Sequence, residues 1–516
     1  MHKLSFTAAL ALATVVVAVF AATGAAVTAS EHLVSPGTAG VTQFPRNKQN
    51  ESMVAVNPTN PAIAVTGAND EIQEPLCTPP TGGSSSCPFD PFTNSTGVYI
   101  TTTGGASWTQ QILDWSSAGL VSDGDPAIAW GPKPSGDGFS FASGARLYAA
   151  SLAGSPSFGP DKEQIALSYS DDNGASWTGP IIISSRDNSV SFNDKIAITT
   201  DTSPLSPFFG NVYVSWTLFK GSGNFGESNT FEPEPIVLAR STDGGQTFSK
   251  LVQLSQAANN GSVGGRQGSS PEVAPNGDVY VFWDGATHQQ SAVLGARSTN
   301  GGRTFAKPFV VSLKNDNPSP LPGARFRDNS FPNADIGGNG NLYVVWTDYT
   351  SGHGVVKLAT STNDGDSWSV GTAADVSGRS AFYPAVAVNG SSVFIGFNAM
   401  DDVTAATAPG AGVVFYDAYY VLDTGSGFGS PVTVSAASSD PDASSTNGLS
   451  AQFIGDYNGA DVGSNGTFWF TWTDTRDADT CAAVDAFRAG GSTPNIYDSC
   501  TTDFGNSDIY VATIAP

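Results

Sequence analysis

Apolar positions in this chain fall in short runs bounded by Gly, Asn, Asp and Pro, and Val, Ile, Thr, Phe, Tyr and Trp supply many of them. Such runs predict β-strands joined by tight turns. They come in pairs, the first starting near a Pro or a polar pair and the second ending near an aromatic: "DPAIAW" with "ARLYAAS", "DKIAIT" with "NVYVSW", and similar pairs within 271–283, 332–346 and 384–397. A third run follows, such as "PIVLAR" (235–240) or "AVLGAR" (292–297), then a polar phrase, then a fourth run such as "KLVQLS" (250–255).

The polar phrase repeats. It reads "YSDDNGASW" at 169–177, "RSTDGGQTF" at 240–248, "RSTNGGRTF" at 297–305 and "TSTNDGDSW" at 360–368, with weaker forms "TTTGGASW" at 101–108 and "DTGSGF" at 423–428. Between two strand runs it predicts the turn of a hairpin. Asp172, Asp243 and Asp423, or Asn300 and Asn363 in the same place, can bond turn N–H groups, the glycines allow the backbone to turn, and the closing aromatic buries beside a neighbouring element. A role repeated this often builds structure and needs no substrate. The spacing of the aromatics gives a period of roughly 60 to 70 residues.

Four strands per repeat is the blade of an all-β fold, the β-propeller. First strands at "ESMVAV" (51), "DPAIAW" (125), "DKIAIT" (194), "PEVAP" (271), "PNADI" (332), "PAVAV" (384) and "AQFIGDY" (451) count seven blades. The last block runs one strand short, so a strand from about 31–46 is expected to complete it and close the ring, removing open edges. A count of six, with the terminal blocks merged, stays open.

Lys3, an apolar run from Ala8 to Phe20, and small residues ending in Val27-Thr28-Ala29 read as a secretory signal peptide over 1–29, leaving 30–516 as one propeller domain. No second apolar run reaches the length of a membrane span. Export suits the four cysteines: Cys77 with Cys87 and Cys481 with Cys500, two local disulfides, is the simplest of three pairings. Cys-x-x-Cys spacing is absent, and His2, His32, His288 and His353 are scattered, which argues against a structural zinc site. A formal charge of −24 argues against a nucleic-acid partner. "GSGNFG" at 221–226 leads into no helical pattern, so a nucleotide loop fails its context.

Chemistry in a propeller belongs on the face where the loops leading into the inner strands meet. Arg266, Arg327 and Arg379 each precede their blade's Pro by five positions and are expected to point toward a common centre, or to bond carbonyls of a neighbouring loop. Asp125, Asp194 and Asp456 share nearly the same register. They are expected either to pair with these arginines or, with Asp474 and Asp477, to offer oxygen ligands to calcium. The insertions 71–97 and 475–506 fall in second-to-third-strand loops of the first and last blades, neighbours once the ring closes.

The hairpin phrase resembles the Asp-box, Ser-x-Asp-x-Gly-x-Thr-Trp, of the sialidase superfamily, also called bacterial neuraminidase repeats. The resemblance implies a propeller with the Asp-boxes on the face opposite the active site. In that family three arginines bind the substrate carboxylate, a tyrosine assisted by a glutamate is the nucleophile, and an aspartate is the acid/base. Carried over by position, Arg327, Arg266 and Arg46 are the arginine candidates, with Arg379 at the shared register. Asp70 is the acid/base candidate, Tyr383 and then Tyr457 the nucleophile, and Glu272 the helper. The family's Phe/Tyr-Arg-Ile-Pro motif is absent, "FPRN" at 44–47 reversing its order, and family members have six blades. The expectation is therefore a secreted sialidase-like glycoside hydrolase acting on extracellular glycans, requiring no cofactor and with calcium left open. The alternative is a non-catalytic propeller that binds a glycan or protein partner.

Overall fold

The computed structural model describes residues 27–35, 43–78, 87, 89–90, 92–136, 138–155, 163–184, 191–220, 234–256, 266–288, 290–403 and 414–515. Of the stretch 1–29 read as a signal peptide, residues 1–26 lie outside this set, and Thr28 and Ala29 lie in a strand of the last sheet. Strands alternate side chains between two faces, and here both faces are covered, because each sheet is packed between two others. The second strand of the fourth blade shows how. Val279, Val281 and Trp283 face the third blade, while Tyr280 and Phe282 face the fifth. Seven such apolar clusters lie between successive sheets, one per interface.

The seven sheets form a β-propeller, and the six-blade count is set aside. Blade 1 is Gln49–Val56, Ala64–Asp70, Thr96–Thr101 and Thr109–Ile112. Blade 2 is Ala127–Ser135, Gly138–Gly154, Gln164–Ser170 and Thr178–Ile182, with Val121–Ser122 added against its second strand. Blade 3 is Ser191–Thr200, Val212–Lys220, Ile236–Ser241 and Val252–Gln253, and blade 4 is Gln267–Val273, Val279–Thr287, Gln290–Ser298 and Phe309–Leu313. Blade 5 is Asn333–Ile336, Leu342–Asp348, Val355–Ser361 and Ser369–Ala374, and blade 6 is Arg379–Asn389, Ser392–Asp401, Tyr416–Asp423 and Val432–Thr433. Blade 7 takes Gly459–Val462, Phe468–Asp474 and Asp508–Ala515 from one end of the chain and Thr28–Leu33 from the other.

Two boundaries differ from the sequence reading. The closing strand is Thr28–Leu33, paired antiparallel from Thr28 opposite Ala515 to Leu33 opposite Tyr510, so it begins ahead of the expected stretch 31–46 and overlaps only its start. The inner strand of blade 7 starts at Gly459, and "AQFIGDY" is the loop that feeds it. Gly455 takes φ 85° in that loop, and a Cβ there would meet the backbone N of Glu51 at 2.7 Å.

The repeated hairpins work as expected. In blade 2, Asp172 accepts from Ser170 Oγ (2.7 Å), Ser176 N–H (2.8 Å) and Ser176 Oγ (2.6 Å), while Ser170 Oγ accepts from Gly174 N–H (2.8 Å). Asp243, Asn300 and Asn363 repeat the pattern with Ser241, Ser298 and Ser361. Asp423 is a correction. Its pairing with Val393 puts it at the serine position, equivalent to Ser241 opposite Val212, and it does the serine's work by accepting from Gly427 N–H at 2.9 Å. The loop there is shorter, so its aromatic arrives early and shifts any alignment made on it. Gly174 has φ 87°, and a Cβ on it would strike Ile100 of blade 1 at 2.4 Å; Gly245 and Gly302 likewise sit against Tyr148 of blade 2 and Tyr213 of blade 3, so these hairpins lock against the blade before them.

Both predicted disulfides form, Cys77–Cys87 and Cys481–Cys500. The two stapled insertions pack together around Phe44, Leu449, Val484, Ile496 and Phe504, and Tyr497 Oη accepts from Cys77 N–H at 2.7 Å. The second insertion also carries two short helices, Ala482–Arg488 and Ile496–Ser499. No helix among the described residues is long and apolar enough to cross a membrane.

Candidate functional site

The inner strands enclose a central channel of about 490 Å³. Its mouth, at their N-terminal ends, is built by one register. Met53, Ala127, Ala197, Ser270, Asn333, Ala385 and Gly459 pair with equivalent positions of the second strands. Two residues before each stand Glu51, Asp125, Lys195, Gly268, Phe331, Tyr383 and Tyr457. The first four and Tyr383 adopt left-handed φ of 60°, 50°, 56°, 64° and 49°. The ladder bulges there in blades 1, 3, 4 and 6. Left-handed non-glycine residues cost on the order of 1–3 kcal/mol each and collect at functional sites. Four of them in one ring mark this end of the channel.

Blades 1, 2 and 3 contribute a row of carboxyl groups, with Asp125 hydrogen-bonded to Glu51 on one side and Asp194 on the other. Burial pushes Glu51 and Asp194 well up, and their acidic neighbours add to it, Asp125 first among them. Burial works against charge on Asp125 too. The hydrogen bonds from Glu51 and Asp194, the Lys195 ammonium and the Lys195 N–H (3.0 Å) outweigh it, so Asp125 lies below the usual carboxylate range. The row therefore favours negative charge on its centre and protons on its two ends, the pattern of groups forced to share protons. Asn69 secures it, donating to Glu51 Oε2 at 3.1 Å and accepting from Asp125 N–H at 2.7 Å.

Across the mouth, Arg327 donates to both oxygens of Asp456, at 2.7 and 2.5 Å, with its guanidinium half-exposed over Phe453. Asp456 raises the Arg327 pKa further still. Lys195 Nζ lies 2.9 Å from the centroid of the Tyr457 ring, and burial brings the ammonium's pKa down to about 8 against the pull of Glu51 and Asp125. Deeper in the channel, four positions beyond the mouth register, Glu272, Asp335 and Asp461 form a second acidic ring. Burial raises all three, Asp335 to about 7 and Asp461 to about 6. Asp335 accepts from Val388 N–H and Asp461 from Val56 N–H, each at 2.6 Å, so both stitch adjacent inner strands together.

Of the residues singled out in the sequence, Arg327, Tyr383 and Tyr457 reach the mouth and Glu272 lies below it. Tyr383 Oη donates toward two carbonyls, Arg327 O at 2.5 Å and Gly455 O at 2.7 Å, and burial holds its pKa well up. Asp70 is buried inside blade 1, accepting from Tyr99 Oη (2.7 Å), Gln110 Nε2 (2.5 Å), Ile72 N–H and Gln49 Nε2. Arg46 donates to Glu74 O at 2.6 Å in the first stapled loop. Arg379 is held within blade 6 by Asp417 (2.6 Å) and Asp401 (2.8 Å), and Arg266 is buried in blade 4. The three arginines do not converge, for two reasons: Arg379, though in step with Arg327, already lies in its strand opposite Asp401 and pairs within the blade, and the prolines are not equivalent. Pro271, Pro332 and Pro384 follow the mouth register by three, one and one positions, which leaves Arg266 two residues out of step.

Asp125, Asp194 and Asp456 do gather as their register implies, and Asp456 takes the arginine. Asp474 and Asp477 stay away from them, at Arg476 and at Tyr510. No group of three or more His, Cys, Asp or Glu among the described residues is arranged to hold a metal ion. Glu51 and Lys195 were missed. Their signal is the position two residues ahead of the strand pairing, which only the sheet register reveals.

A seven-bladed propeller with a strained, carboxyl-rich mouth is thus the class of structure in hand. No family model and no curated protein matches the chain. Among solved structures, a protein of unknown function from Dyadobacter fermentans is 13% identical over 74% of this chain and 96% of its own, with TM-score 0.43. A Hadza microbial sialidase is 13% identical over 68% of this chain and 63% of its own, TM-score 0.39. An α-L-arabinofuranosidase of Fusarium graminearum, solved with arabinobiose, is 12% identical over 71% and 91%, TM-score 0.42.

Proposed function

We propose that this chain is an exported propeller that hydrolyses glycosidic bonds at the mouth of its channel. The reading rests on one observation, the row Glu51, Asp125 and Asp194, three carboxyl groups in hydrogen-bond contact whose environments push their proton affinities apart, Glu51 and Asp194 up and Asp125 down. Glycoside hydrolysis needs a proton delivered to the leaving oxygen and a proton taken from the attacking water. Glu51 and Asp125 touch, so they cannot flank a glycosidic bond as two separated carboxyls do. They act as one proton-sharing pair, in which Asp125 takes the proton of a water that attacks the sugar, Glu51 gives its proton to the leaving oxygen, and Asp194 supports the Asp125 charge by its hydrogen bond. Lys195, whose N–H bonds the row and whose ammonium rests on the Tyr457 ring, borders the row together with Arg327, and these three side chains position the sugar, with the stapled insertions flanking it. Two disulfides suit an extracellular setting.

The test is cleavage of a panel of aryl glycosides by the mature protein, including sialosides, arabinofuranosides and hexosides, with Glu51→Gln in parallel. The amide removes the acidic proton at constant size, so turnover is expected to fall by roughly 10²- to 10⁴-fold. Activity of the native protein is expected to fade as pH rises through the elevated Glu51 pKa, since the acid form is the working form. A panel without turnover, or a Glu51→Gln protein as active as the native one, refutes the assignment.

A further inference from the structure

We propose that the mouth selects an uncharged sugar, and that Asp456 sets this preference by occupying Arg327; the inference rests on the glycan-cleaving reading above. Recognition of a sugar carboxylate calls for a guanidinium whose fork is open to it. Arg327 spends Nε and Nη2 on Asp456, at 2.7 and 2.5 Å. Asp456 itself is buried, so the pair is set into the wall while only the arginine's outer part reaches the mouth. The second cation, Lys195, sits on the Tyr457 ring. Neither of the other two inner-strand arginines adds to them, Arg379 being held by Asp401 and Asp417 and Arg266 buried in blade 4.

The charges then balance without a ligand. Arg327 and Lys195 offset Asp456 and Asp125, the member of the row that most favours charge, while burial and the neighbouring Asp125 disfavour ionisation of Glu51 and Asp194. A ligand carboxylate would enter as an unmatched negative charge beside four carboxyl groups, a like-charge juxtaposition that is penalised strongly in a partly enclosed site. An uncharged sugar brings hydroxyl donors instead. The row is rich in acceptor oxygens, and its protein donors are few: Asn69 Nδ2 and the Lys195 N–H.

The experiment compares ligands that differ only in charge, on the intact protein. An oligosaccharide array of neutral, uronate-containing and sialylated glycans finds the sugars bound. Calorimetry then measures matched pairs such as a methyl galactoside against the corresponding galacturonoside, and lactose against 3′-sialyllactose. At pH 7 the uncharged member is expected to bind at least ~10-fold more tightly, the ratio widening as pH rises and the row loses protons. Asp456→Asn, checked for a native unfolding transition, frees the guanidinium from its counter-charge and is expected to narrow the ratio by about tenfold. The pH dependence of the ratio in the native protein tests the same point without any variant. A sialylated or uronate ligand bound as tightly as its neutral partner overturns the inference and leaves the glycan reading standing. A folded Asp456→Asn protein with an unchanged ratio refutes the role of Asp456. Binding of no sugar, with no glycoside cleaved, removes the glycan reading and this inference together.

Discussion

Asp461 offers a test of how the channel is held together. One of its carboxyl oxygens accepts from Val56 N–H of blade 1 at 2.6 Å and the other from Val462 N–H at 2.7 Å, and burial still raises its pKa from 3.8 to about 6. A rise of roughly two units corresponds to about 3 kcal/mol at ~1.4 kcal/mol per unit, and contact with channel water reduces the working figure to about 2 kcal/mol. The folded-state pKa is raised, so this stability is fully present below the unfolded value near 4 and is lost as pH rises through about 6. Asp461→Asn cannot ionise. Its single amide oxygen serves only one of the two N–H groups well, so at pH 4 and below the variant is expected to be about 1 kcal/mol less stable than the native protein. At pH 8 it should be more stable, by about 1 kcal/mol, and the two profiles cross near pH 5, where about half of the native contribution is already lost. Guanidinium unfolding midpoints at about pH 4, 5, 6 and 8, with unchanged slopes, measure this directly. Parallel profiles would show that the carboxylate reaches water freely and that the buried ring is misjudged.

Two further substitutions probe the scaffold. Ser241→Ala removes the acceptor of the buried Gly245 N–H (2.8 Å) and a donor to Asp243, and should cost about 1–3 kcal/mol in chemical denaturation, whereas loss of only a few tenths would show that water replaces the serine. Replacing Cys481 and Cys500 together by serine opens a loop whose ends are 19 residues apart, for which chain entropy assigns about 3 kcal/mol. The expected result is earlier proteolysis in 482–499 with the blades still folded, and uniform resistance to protease would contradict it.

Blade number and hairpin roles were legible because the repeat is written in residues with local jobs. Ser170, Asp172 and Gly174 satisfy one another within a single turn, so spacing alone identifies them. The mouth was less legible, since it depends on pairing between strands. Glu51 looks like an ordinary strand residue until its bulge opposite Gly67 turns it toward Asp125, more than seventy residues away. Asp125, Asp194 and Asp456 were visible because each lies next to the mouth register in its own blade. The prolines misled, for they mark where each inner strand can begin without fixing which residue faces its partner. Asp70, read as a loop residue facing the site, ends the second strand of blade 1 and faces Tyr99 and Gln110 inside its own sheet, a pairing that spacing alone could not show.

The pairing of Thr28–Leu33 with Asp508–Ala515 gives the last sheet a history unlike that of the others. Six blades are contiguous stretches, each able to collapse as soon as it emerges. The seventh cannot exist until its two distant parts are both present, so during synthesis the ring remains a horseshoe with two apolar flanks, those that later meet as the clusters around Trp469 and Trp472. Closure is thus a single late event with a large loop to gather, slow by comparison with blade formation. The reverse step has the same address. Forced or thermal opening is expected to begin where Glu31 lets go of Arg476, after which six stacked sheets remain but the circular constraint that holds the mouth at one diameter is gone.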